Sequence, residues 1–131
     1  MHDADGSHAM NQKEIKEIVE SFAQGARRAK ESGFDGCELM AAYNALIEQF
    51  WSPYSNHRTD RYGGNFENRM RFSVELLSRM REVVGNDFII GMAISVDTSS
   101  PEVLSLEDQQ EIARYHDERG LYDYITVGSG S

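Results

Sequence analysis

The residues of this chain that could do chemistry are few, and most have a structural use that competes with the chemical one. Glu38 lies in 34–42, a short run with few charges, and a carboxylate in a buried strand must find a partner. Arg58, in the following segment, is the candidate, so Glu38 reads as half of an ion pair before it reads as a catalytic acid. Cys37 is the only cysteine, which excludes an intrachain disulfide and any multi-cysteine metal cluster within the chain. Its apolar neighbours make it a small buried hydrophobe rather than a nucleophile. His2 and His8 could suggest a metal pair, but they fall in the polar stretch 1–10, which reads as a flexible leader, and no metal site is expected. Arg69, Arg71, Arg79 and Arg81 alternate with Glu67, Glu75 and Glu82 at helical spacings. That pattern predicts a solvated, ion-paired helix face and not a nucleic-acid patch.

Charge supports the same exclusion. With 22 acidic and 13 basic residues the formal net charge is −9, which repels phosphate backbones and anionic membranes unless basic residues are segregated, and they are not. No run approaches the ~18 consecutive apolar residues of a membrane span. A cytoplasmic protein that handles small molecules, with neither nucleic acid nor membrane as partner, is expected. The 40% hydrophobic and 27% charged fractions are those of a packed domain.

The elements that must position these residues alternate in type. Ile15, Ile18, Val19, Phe22, Ala26 and Ala29 recur at three and four, predicting a helix over 11–32. Asn11 caps it, Glu14 completes a capping box, and Gly33 ends it. A strand over 34–42 and a short helix over 44–51 come next. The stretch 52–65, SPYSNHRTDRYGGN, is a loop of fourteen residues, long enough to need a reason. Asn65 caps a helix that stops at Gly85 and Asn86, a strand covers 88–96, Ser105 and Asp108 open another helix that Gly120 ends, and the third strand covers 122–127. Regular alternation predicts an α/β fold of parallel strands joined by right-handed crossovers. No GxGxxG or GxxxxGK[ST] follows a strand, so no dinucleotide or P-loop phosphate site is expected.

The stretch 33–71, GFDGCELMAAYNALIEQFWSPYSNHRTDRYGGNFENRMR, resembles the Old Yellow Enzyme family of FMN-dependent NADH:flavin oxidoreductases. There the fourth barrel strand reads roughly GFDGVELHGAHGYL, followed by QFLSP, N-x-R-x-D-x-Y-G-G-S and E-N-R. Gln49, Phe50, Ser52, Pro53, Asn56, Arg58, Thr59, Asp60, Tyr62, Gly63, Gly64, Glu67, Asn68 and Arg69 keep that pattern. Asp97-Thr98 after the second strand is similar to the trimethylamine dehydrogenase branch, which oxidatively demethylates small methylated amines. The resemblance implies a (β/α)₈ barrel. Because such a barrel needs ~250 residues, 11–131 would be a partial barrel of about three strand–helix units. Most of the matching residues have a scaffold use: Gly63 and Gly64 permit a backbone path closed to larger side chains, Pro53 fixes a turn, and Arg58 with Asp60 can fasten the loop.

Chemistry in such barrels sits at the C-terminal strand ends, here 40–45, 93–97 and 128–131. The resemblance places the substrate-facing donors at Met40 and Tyr43, where enone reductases have His-x-x-His or His-x-x-Asn and amine dehydrogenases Tyr-x-x-His. Met40 supplies no useful donor, whereas Tyr43 can donate one hydrogen bond and is the catalytic candidate. The family's flavin-facing arginine falls on Ala93, so Met40 and Ala93 are the cofactor-side positions, both altered. The resemblance therefore implies a segment of an FMN-dependent oxidoreductase acting on a small methylated amine. The alternatives are a non-catalytic barrel remnant or structural subunit with a degenerate flavin site, and a truncated product with no activity of its own. Open sheet edges and inner faces of Leu39, Ile90, Ile94 and Ile125 without an opposite wall predict self-association as a dimer or higher assembly.

Overall fold

The computed structural model describes residues 8–99 and 101–129. Its elements are α1 (Gln12–Glu31), β1 (Gly36–Met40), α2 (Leu46–Trp51), α3 (Phe66–Val84), β2 (Ile89–Val96), α4 (Leu106–Glu118) and β3 (Tyr124–Ser129). The three strands pair in parallel in the order β1-β2-β3, as the alternation predicts. The expected capping box is present, with Asn11 accepting from the Glu14 amide, and the helix start at Ser105 is a second one, with Ser105 accepting from the Asp108 amide.

The elements depart from the expected bounds in three places: β1 covers 36–40 of the expected 34–42, β3 covers 124–129 instead of 122–127, and α2 starts two residues late. Tyr122 and Asp123 precede β3 instead of opening it, because Asp123 caps the sheet: its carboxylate accepts the Ile90 N–H at 2.8 Å and Arg81 at 2.7 Å. Helix α2 begins at Leu46, because Tyr43 and Asn44 both adopt left-handed backbone (φ 56° and 58°), which a right-handed helix cannot include.

Parallel register fixes which residues share a face. Cys37, Leu39, Ile90, Met92, Ile94, Ile125 and Val127 lie on one side and Glu38, Met40, Gly91, Ala93, Ser95, Tyr124, Thr126 and Gly128 on the other. The first side meets the helices: Leu39, Ile90, Met92 and Ile94 are buried with Met70, Leu76, Leu77 and Met80 of α3. This corrects the assignment of Leu39, Ile90, Ile94 and Ile125 to an unwalled inner face. The open face carries Met40 (52% exposed), Ile89 (47%) and Tyr124 (43%). Cys37 is partly buried against the core, and burial pushes its thiol up from the usual range, in keeping with a packing role.

Glu38 also stands on the open face, so it cannot meet Arg58. Its carboxylate accepts the Thr126 hydroxyl at 2.7 Å, across β2, while Arg58 binds elsewhere. The arginines of α3 likewise depart from an ion-paired face. Within that helix only Arg79 pairs, with Glu82, and it also reaches Glu20 of α1. Arg69, Arg71 and Arg81 donate to backbone carbonyls of Trp51, Arg61 and Phe88, capping chain segments, and Arg81 also pairs with Asp123 outside the helix.

A buried polar knot joins three helices. Trp51 Nε1 donates to Ser73 Oγ at 2.8 Å, and Ser73 lies 2.7 Å from Nε2 of the fully buried His116. The Ile112 carbonyl can only accept, so His116 Nδ1, at 2.7 Å, carries the proton and Nε2 is the acceptor. Burial pushes the imidazole pKa down from 6.5. The unfolded chain therefore binds a proton below about 6.5 that the folded chain refuses, so the stabilisation is complete above that pH and is lost as pH falls through the depressed folded value. Denaturant titrations should show stability falling by up to ~1.4 kcal/mol per pH unit in that window from this group. His116→Gln should flatten that part of the profile, and equal slopes in the two proteins would contradict the assignment.

Candidate active site at the strand ends

The long loop is built first, because it carries the segment that follows β1. Asn56 is buried, and its amide donates to the carbonyls of Phe50 at 2.7 Å and Tyr62 at 2.8 Å while its oxygen accepts from Arg58 N–H. Arg58 grips Asp60 with two bonds, of 3.0 and 2.6 Å, and the Met10 carbonyl at 2.6 Å. That guanidinium holds the Asp60 carboxyl below its usual range. Met10, at the end of the expected leader, is thus tied to the loop; residues 1–7 lie outside the described ones. Gly63 passes so close to Arg58 that an added Cβ would stand 2.3 Å from its carbonyl oxygen, and Gly64 has φ +98°. Phe50 stacks on Phe72, and Tyr62 donates to Glu75 at 2.6 Å, so burial and Glu75 push its phenol up to about 12.

Above this scaffold the strand ends bring the candidate residues together. Met40 and Ala93 are register partners, and Thr126 continues the row across β3. Tyr43 lies beyond the end of β1, half-exposed, its amide donating to Ser95 Oγ at 2.9 Å. Two consecutive left-handed non-glycine residues cost on the order of 1–2 kcal/mol each, so the turn at Tyr43–Asn44 is held, not relaxed. Glu48 helps hold it: its carboxylate accepts from the Asn44 amide and from Gln109. A cleft of about 210 Å³ opens beside this turn, lined by Tyr43, Asn44, Glu48, Ser95, Asp97 and Leu104 among others. Burial pushes the Glu48 carboxyl up, whereas hydrogen bonds from Ser99 hold that of Asp97 down. The expected strand end 128–131 is described only to Ser129.

The sequence pointed to Met40, Tyr43 and Ala93 but not to Ser95 or Glu48 as their supports. Ser95 was findable, since it lies two residues beyond Ala93 and must share its face. The Glu48–Gln109 link, from α2 to α4, has no sequence signal.

This arrangement, parallel strands with helices on one face and a cleft at their C-terminal ends, defines an arc of a (β/α)₈ barrel. The chain belongs to the NADH:flavin oxidoreductase / NADH oxidase family, whose profile matches residues 2–120 and whose cofactor is FMN. It is 48% identical over 122 residues to an N,N-dimethylglycine/sarcosine dehydrogenase from Chromohalobacter salexigens, covering 92% of this chain and 18% of that protein. An NADPH dehydrogenase from a Geobacillus species is 42% identical over 122 residues, covering 93% of this chain and 35% of that protein. The histamine dehydrogenase structure from Rhizobium sp. 4-9 superposes with TM-score 0.86 at 32% identity, covering 95% of this chain and 18% of its own. The chain thus spans between about a fifth and a third of these relatives.

The residues present do not fit FMN by themselves. A phosphate and an electron-rich ring edge call for cations and convergent N–H donors. Among the described residues the open row offers Met40, Ala93 and Thr126, and the cleft lining holds the carboxylates of Glu48, Asp97 and Glu102 with no Lys or Arg. No group of three or more His, Cys, Asp or Glu among the described residues could hold a metal ion, and no helix there is long and apolar enough to cross a membrane.

Two outcomes are expected. The purified chain, desalted after incubation with excess FMN, should retain almost no flavin absorbance; a stoichiometric yellow complex would contradict the fit. Asn56→Ala should lower stability by about 2–4 kcal/mol in denaturant melts, because two buried carbonyls lose their donors; a change under about 1 kcal/mol would show that water replaces the amide.

Proposed function

We propose that this chain is the substrate-side arc of an FMN-dependent oxidoreductase that oxidises a small methylated amine, with Tyr43 as the hydrogen-bond donor to substrate. The observation that carries the reading is the cleft beside Tyr43. It is lined by Glu48, Asp97 and Glu102, and a site rimmed by carboxylates favours a cationic ammonium over an anionic or neutral carbonyl substrate. The likeness to a dehydrogenase named for dimethylglycine and sarcosine supports the same class. FMN, held by the rest of a complete barrel, would supply the two-electron acceptor. The chain's own part is to hold Tyr43 at the rim and to keep the cleft acidic. A cytoplasmic setting goes with the free thiol of Cys37.

The test is a chimera in which this chain replaces its counterpart in the dimethylglycine/sarcosine dehydrogenase. Turnover of dimethylglycine is expected, with Tyr43→Phe lowering kcat/KM by roughly tenfold to hundredfold. Reduction of enones without amine oxidation would overturn the reading.

A second reading has its own observation. The row Met40–Ala93–Thr126 carries no cation, so a barrel containing it has a degenerate flavin site and a structural role. Ala93→Arg in the chimera separates the two. A raised flavin potential with little change in turnover supports the enzyme, whereas turnover that appears only with the arginine supports the degenerate barrel.

By itself, the chain should self-associate. Met40, Ile89 and Tyr124 leave an apolar open face, and β1 and β3 leave unpaired edges. Light scattering at micromolar concentration should give the mass of two or more chains; a monomer whose unfolding is independent of concentration would contradict this.

A further inference from the structure

The direction of the Tyr43 side chain is set from the other two strands, and we propose that Ser95 and Gly128 are positioning residues that hold its backbone beside the strand-end cleft and its hydroxyl over the end of β3. Tyr43 and Asn44 leave β1 in left-handed backbone, a conformation that needs an outside grip. Ser95 of β2 supplies it. Its hydroxyl accepts the Tyr43 N–H at 2.9 Å, and Ser95 is only 3% exposed, so water competes poorly for the amide. The far end of the side chain rests on β3. A Cβ at Gly128 would stand 2.3 Å from Tyr43 Oη and 3.3 Å from Cζ, so the phenol occupies the space that any other residue at 128 would fill.

Ser95 and Gly128 are themselves register partners, so one rung of the sheet holds both ends of Tyr43. The ring therefore spans from the end of β1 to the end of β3, and its hydroxyl stands over the third strand, away from the Met40 side. Loss of Ser95 frees the backbone end; a methyl at 128 lifts the hydroxyl end while leaving the amide bond in place. The two substitutions thus separate grip from aim. That this aim serves substrate binding rests on the amine-oxidoreductase reading, whereas the geometry does not.

The experiment is nuclear magnetic resonance on the labelled chain. Wild type should show a Tyr43 amide protected from exchange and cross-peaks from the Tyr43 ring to the Gly128 α-protons. Ser95→Ala should speed Tyr43 amide exchange at least about tenfold with the Met92 amide unchanged, and Ser95→Thr, which keeps the acceptor, should restore protection. Gly128→Ala should abolish the ring cross-peaks and leave the amide protected. An unprotected Tyr43 amide in wild type, or equal exchange in Ser95→Ala, overturns the grip; ring cross-peaks that survive at residue 128 in Gly128→Ala overturn the aim. In the chimera, Gly128→Ala should lower kcat for dimethylglycine more than it raises KM, and an unchanged kcat overturns the functional role. If the unsubstituted chimera fails to oxidise the amine, the amine reading falls while the resonance data still decide the geometry.

Discussion

Everything at the strand ends depends on side-chain parity in the parallel sheet. With Leu39 opposite Met92 and Ile125, the apolar set turns to the helices and the set Met40, Ala93, Thr126 turns to the open face. The helix side is where most of the stabilisation lies, since Leu39, Ile90, Met92 and Ile94 are almost completely buried there. That burial leaves the open face free to carry residues that contribute little to the core, including a carboxylate at Glu38. The site is a consequence of the core's register.

The loop after α2 explains why so much sequence is spent away from the chemistry. Asn56, Arg58, Asp60 and Gly63 make a closed set of bonds that returns the chain from Trp51 to the start of α3, and Arg69 and Asn68 fasten it from the other side through the carbonyls of Gly64 and Gly63. Those residues hold a framework for the turn at Tyr43 and Asn44. The framework matches the family's pattern, whereas the strand-end residues it supports differ from it. Carboxylates at Glu48 and Asp97 line the cleft, which among the described residues has no Lys or Arg to meet a phosphate.

The alternation of elements, the capping box at Asn11, the helix start at Ser105 and the loop's role were legible in the sequence because each is written in neighbouring residues. Parity was not legible for the strands. Leu39 and Met40 are adjacent apolar residues at the end of a five-residue strand, so periodicity could not tell which of them turns inward. Glu38 was read as buried and matched to Arg58, when its partner Thr126 lies 88 positions away. Three arginines of α3 were read as surface charge because the carbonyls they cap are backbone atoms, which a sequence does not display. Ser95 could be placed on the face of Ala93 by its spacing, but its bond to the Tyr43 N–H and the room left by the missing side chain at Gly128 could not be read from the sequence.

Register decides where every strand-end residue points, and methyl cross-peaks measure register directly. With the methyl groups of Met, Ala, Leu, Ile, Val and Thr labelled, Ala93 should show contacts to Met40 on one side and Thr126 on the other, while Met92 contacts Leu39 and Ile125. A one-residue slip reverses this: contacts from Ala93 to Leu39 or Ile125 would turn the opposite set toward the open face, and the strand-end site around Tyr43 would not exist.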